Sequence, residues 1–164
     1  MHVETMTKPD HSTRLDRRGF LSGAAAASAT GAFGAPALAK GAFSQGGGTI
    51  LEGADVVGYF RTGGVVGGRI DQAVRWKGAV WLFADAENRE AFERDPWAFA
   101  PRFGANCAYA MSEGYIASPD PHAWVIADGR LYVMHSPAFR RLWLGDPSGR
   151  IARAATHWSE LRGA

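Results

Sequence analysis

Two stretches of the chain repeat one another at an offset of 51 residues, and this repeat constrains the fold more than any other feature. It pairs Val74 with Val125, Gly78 with Gly129, Trp81 with Tyr132, Asp85 with Ser136, Phe92 with Trp143, and Asp95-Pro96 with Asp146-Pro147. In each copy, short apolar runs flank a two-residue turn signal. The pattern predicts strands over 74–76 and 79–83 joined by Lys77-Gly78, and over 124–127 and 130–134 joined by Asp128-Gly129. A helix should follow each hairpin. Asp85 caps one over 86–94, with Ala91 and Phe92 inward, and Ser136 with Pro137 opens the other over 138–144, which Gly145 closes. A unit of this kind cannot bury its own apolar face, so the copies are expected to pack around one core. Asp146-Pro147 then starts a last helix. There Ile151, Ala154 or Ala155, Trp158 and Leu161 share a face that caps the core, while Arg150, Arg153 and Glu160 meet water. The expected class is therefore α+β: two hairpin-helix units with a C-terminal capping helix, forming one domain over 54–162. The Gly-rich stretch 40–53, including Gln45-Gly46-Gly47-Gly48, reads as a flexible lead-in, with folding expected to begin near Asp55.

The beginning of the chain has a different character. Arg17-Arg18 directly precedes a run without charge over 19–39 that closes with Ala37-Leu38-Ala39, the small-x-small pattern a signal peptidase accepts. With Phe20 and Leu21, the arginine pair resembles the twin-arginine translocation signal, which exports proteins already folded. The resemblance implies cleavage after Ala39, a periplasmic product, and no stable membrane span once the leader is removed. Removing the first 39 of 164 residues leaves 125, enough for one domain. Lys plus Arg number 18 against 16 acidic residues, and the cations gather into no basic run, so nucleic acid is not an expected partner. Cys107, the single cysteine, allows neither an internal disulfide nor a self-contained zinc site of two or four cysteines. Gly63-Gly64 and Gly67-Gly68 lack the context that cradles phosphate, no Gly-x-Ser-x-Gly elbow occurs, and Glu87, Glu90 and Glu93 describe a solvated helix face.

Trp76-Lys77-Gly78, Trp81-Leu82-Phe83, Phe92 and Asp95-Pro96-Trp97-Ala98-Phe99 resemble the YHS domain. Asn106-Cys107-Ala108-Tyr109-Ala110, Gly114-Tyr115 and Asp120-Pro121 extend the similarity to an exported, single-domain subgroup. The resemblance implies metal handling, beside a metal enzyme or a transporter. Metal-binding relatives carry three cysteines, and at those places this chain has Gly58, Ala84 and Asn88, none of which supplies a thiolate.

The chemistry that remains centres on Cys107. Asn106 is expected to cap a short helix and leave the thiol in its first turn, where the helix start favours a thiolate. A buried, inert thiol is the other reading, since Ala108, Tyr109, Ala110 and Met111 make the segment apolar. The repeat sets His135 opposite Ala84, so Cys107 and His135 are the candidate ligands for a copper, zinc or iron ion. Met134 would suit copper, but strand alternation sends it and His135 to opposite faces, so both can serve one ion only if the strand ends between them. His122 and His157 read as surface or packing histidines. Three functions stay open: a metal-binding module, a redox protein whose thiolate is Cys107, and a partner-binding module with no chemistry.

Overall fold

The computed structural model describes Phe43 and residues 48–163; the expected leader, with Arg17, Arg18 and Ala39, lies outside the described residues. The fold is α+β. In chain order, a short turn at Ile50–Gly53 leads into α1 (Val56–Thr62), β1 (Arg69–Trp76), β2 (Ala79–Phe83), α2 (Ala86–Arg94) and α3 (Pro96–Phe99). A second turn at Arg102–Ala105 leads into α4 (Ala108–Ser112), β3 (Asp120–Ala127), β4 (Arg130–Met134), α5 (Pro137–Leu144) and α6 (Pro147–Gly163). Among the described residues no helix is long and apolar enough to cross a membrane.

Both hairpins turn where the sequence places them, for a local reason. A two-residue hairpin turn that matches strand twist needs positive φ at both positions. Lys77 and Gly78 supply 50° and 80°, and Asp128 and Gly129 supply 50° and 67°. Val74 then faces Trp81 as Val125 faces Tyr132, and both sheets shift register at the same place, between Arg69 and Ala73 and between Asp120 and Trp124. Those shifts lengthen β1 and β3 beyond the expected strands. Asp85 and Ser136 cap α2 and α5 by accepting from Asn88 N and Phe139 N. Gly145 ends α5 in a right-handed conformation, φ −70°, so its left-handed freedom is not used.

The repeat also reaches further back than the sequence suggested. In the turn at Ile50–Gly53, Leu51, Glu52 and Gly53 all have positive φ, and Phe103, Gly104 and Ala105 repeat this in the second unit. Asp55 N donates to Val66 O at 2.8 Å, and Cys107 N donates to Ala117 O at 2.9 Å. The offset is 52 residues at Asp55 and Cys107 but 51 at Val66 and Ala117, because α4 and its following loop are one residue shorter. The lead-in is consequently not loose at its end. Ile50 and Leu51 are buried, and Phe43 packs edge-on against Trp81 with ring centroids 4.9 Å apart.

The buried side chains gather on either side of the second hairpin. Leu131 and Val133 join a cluster with Ile50, Val57, Trp81, Phe83 and Phe92, whereas Tyr132 and Met134 join Cys107, Met111, Trp143 and Ala154. Strand alternation makes β4 the partition, so the core shared by the two units has two halves. On α6, Ala154 is the buried alanine and Ala155 is exposed. Arg150 does not lie open to water as expected. Its guanidinium donates to Glu113 Oε1 at 2.7 Å and Leu142 O at 3.2 Å and lies 4.3 Å over the Tyr109 ring, tying α6 to α4 and α5.

Tyr59 joins the units through a buried hydroxyl that donates to Pro121 O at 2.8 Å. Burial, and secondarily the Asp120 carboxylate, raise its pKa above the ordinary tyrosine value. The folded state then keeps a proton that the unfolded chain releases near pH 10, so stability is full below about pH 10 and falls above it. Burial also raises Tyr132, which adds to the same limb. Tyr59→Phe is expected to cost about 1–2 kcal/mol at neutral pH, since Pro121 O loses its donor, and to flatten the alkaline decline. Urea titrations at pH 7 and above pH 10 check both effects.

Candidate functional site

Gly58, Ala84 and Asn88, the positions at which the sequence resemblance leads one to look for thiolates, do converge. They meet on the carboxylate of Asp55, which is fully buried at the start of α1. Oδ1 accepts from Val57 N at 2.8 Å and Gly58 N at 3.2 Å. Oδ2 accepts from Ala84 N at 2.9 Å and Asn88 Nδ2 at 2.6 Å. A carboxylate offers about four lone-pair sites, and four N–H groups occupy them. Arg61 extends the cluster by donating to Asn88 Oδ1 at 2.7 Å while pairing with Glu87. The donor set therefore does not fit a soft metal: it has no thiolate, and its one anion is committed to backbone and amide donors.

Cys107 occupies the place of Asp55 in the second unit. It, rather than Asn106, caps the following helix: Sγ accepts from Ala110 N at 3.3 Å, while Asn106 Nδ2 turns back to Phe103 O. The thiol is fully buried in the second half of the core. His135, the expected co-ligand, is exposed. Its Nδ1 donates to Ser118 O at 2.9 Å, since a carbonyl can only accept. Ala117 and Ser118 thus hold Cys107 and His135 through neighbouring carbonyls, yet one side chain enters the core and the other meets solvent. Met134, the last residue of β4, is buried, whereas His135, one residue past the strand's end, is exposed. His122 is exposed, and His157 Nδ1 donates to Met111 O at 3.0 Å, packing α6 onto α4. Among the described residues, no three His, Cys, Asp or Glu side chains are grouped to hold a metal ion.

A cleft lies elsewhere in the fold. It encloses about 360 Å³, with Trp97, Phe103 and Trp158 as ring walls and Lys77, Arg102 and Arg162 as cations, while Phe43 lies on the side of the first unit. Among the described residues no carboxylate lines it, and none of the three cations forms an ion pair. Lys77 Nζ lies 5.9 Å over the Trp97 ring and Arg162 Cζ lies 5.8 Å over Trp158, within cation–π range. Trp97 is 55% exposed, yet it is held: its ring meets Trp76 edge-on at 4.8 Å, and Arg130 Nη1 donates to its carbonyl at 3.0 Å. On α6, Trp158 and Arg162 are four residues apart and so share one face. The described lining comes from four separate chain segments, and no local pattern announces it. In comparisons with known proteins, no family model, no curated protein and no solved structure matches the chain.

Proposed function

We propose that the chain is an exported, YHS-like binding module that works without catalysis or a bound metal, as an accessory to a periplasmic partner system. The observation that carries this reading is the fate of its two best candidates for chemistry. The Asp55 carboxylate is saturated by four N–H groups, and the Cys107 thiol is a buried helix cap. Both groups hold equivalent joints of a repeated fold, which is a structural role. The cleft beside Trp97 and Trp158 is by contrast open, and its cations form no ion pair among the described residues. Export rests on Arg17-Arg18 and the Ala37-Leu38-Ala39 site.

Metal and thiol inventories test the reading. Protein recovered from the periplasm of an exporting cell without chelators should carry no stoichiometric copper, zinc or iron, and Cys107→Ser should have the same content. The native thiol should resist a disulfide reagent until denaturant exposes it, because thiol reactivity needs access. Near one equivalent of metal that disappears in Cys107→Ser would overturn the reading in favour of a metal carrier. Rapid labelling of the native thiol would overturn it in favour of redox chemistry.

A further inference from the structure

We propose that the cleft binds a small planar anion, an aromatic ring carrying a carboxylate or a phosphate; this rests on the binding-module reading and names its ligand. Three observations converge on that chemistry. The partly exposed rings of Trp97 and Trp158 offer faces and edges to a flat apolar body, with buried Phe103 behind them, and such contacts favour rings over aliphatic chains. Lys77, Arg102 and Arg162 supply positive charge, and among the described residues no carboxylate in the lining competes with an entering anion. The volume, about 360 Å³, is at the small end of ligand pockets, which selects a compact molecule over a polymer segment.

The backbone is arranged to keep this surface in place. Phe103 and Gly104 lie in the left-handed turn, with φ of 55° and 62°, and the turn sets the Phe103 side chain in the core beside Tyr132, at 6.0 Å between rings, and Trp158, at 6.5 Å. The wall is therefore braced from behind. Arg102 and Arg162 are exposed and make no side-chain hydrogen bond or ion pair among the described residues, so their N–H groups can face a ligand. Arginine also suits the role chemically, because its planar fork can address two oxygens of a carboxylate or phosphate together.

Calorimetric titration of the full-length chain tests the proposal with four probes: 2-naphthoate, its neutral analogue 2-naphthalenemethanol, adenosine monophosphate and inorganic phosphate. The ring anions should bind, with at least one of naphthoate and adenosine monophosphate about tenfold or more tighter than both the neutral ring and phosphate alone. Which of the two is tighter assigns the anion to a carboxylate or a phosphate. Binding should weaken as salt rises, and the double variant Arg102→Gln and Arg162→Gln should lose about tenfold while melting at the parent temperature. Equal affinity for the neutral ring, equal affinity for phosphate alone, no loss in the double variant, or no heat from any probe would each overturn the ligand. Those failures would leave the metal and thiol inventories standing, so the ligand class and the module reading fail separately.

Discussion

Replacing Asp55 by alanine is expected to cost about 3–5 kcal/mol, a large share of the 5–15 kcal/mol that stabilises a domain of this size. The carboxylate accepts from Val57 N, Gly58 N, Ala84 N and Asn88 Nδ2, and it is fully buried. Its removal orphans four donors at once. Each unsatisfied buried donor costs about 1–3 kcal/mol, but the costs do not add, because water can enter the space the side chain leaves. Asp55→Asn should be intermediate, since an amide keeps one acceptor oxygen for the helix cap but presents a donor to Ala84 N and Asn88 Nδ2. The repeat provides an internal control. At the equivalent place Cys107 accepts from Ala110 N alone, so Cys107→Ala should cost only about 1–2 kcal/mol, from one lost cap and a small cavity. Urea denaturation followed by circular dichroism checks the order Asp55→Ala, Asp55→Asn, Cys107→Ala. An Asp55→Ala protein within about 1 kcal/mol of the parent would show that the four-donor joint is not what secures the first unit.

The features legible in the sequence were those whose causes are local. Lys77-Gly78 and Asp128-Gly129 mark turns because two adjacent residues decide the hairpin geometry, and Asp85 and Ser136 mark helix starts because a cap reaches only three residues ahead. Features with distant causes were hidden. Leu51 and Glu52 have no intrinsic preference for positive φ, so packing of Ile50 and Leu51 against the first core has to impose the left-handed turn. Asn106 looked like a cap because asparagine usually is one, but its amide was drawn back to Phe103 O and the role passed to Cys107. Arg150 looked like a solvent residue because its partners Tyr109 and Glu113 lie on α4 and at its end, distant in sequence. The shift from 52 to 51 residues concealed the match of Asp55 with Cys107, since a fixed offset of 51 sets Asp55 against Asn106. The candidate pair Cys107 and His135 was reasonable from spacing; only the third dimension places one inside and the other outside.

Trp143→Ala is the second change with a large expected effect, and it tests whether the two halves of the core act as one. Trp143 is fully buried and its ring lies 5.4 Å from Tyr132, so truncation should cost about 3–5 kcal/mol through lost contacts and a cavity. β4 carries the damage across. Tyr132 and Met134 face the cavity, while Leu131 and Val133 on the same strand face the first cluster, so a strand that loosens on one face loosens on the other. A single transition is therefore expected, with fluorescence and circular dichroism curves superimposing and moving together to lower urea. Trp143→Phe separates ring packing from the indole N–H. Trp143 Nε1 is buried with no hydrogen-bond partner among the described residues, and an orphan of this kind costs about 1–3 kcal/mol. Phenylalanine removes that penalty while keeping one ring in place, and Phe92 already fills the equivalent position in the first unit, 4.9 Å from Trp81. Trp143→Phe should accordingly stay within about 1.5 kcal/mol of the parent. If it proves as costly as Trp143→Ala, the larger indole volume is indispensable and the two units differ in their cores as much as in their caps; if fluorescence and circular dichroism separate in Trp143→Ala, β4 divides the protein into halves that unfold independently.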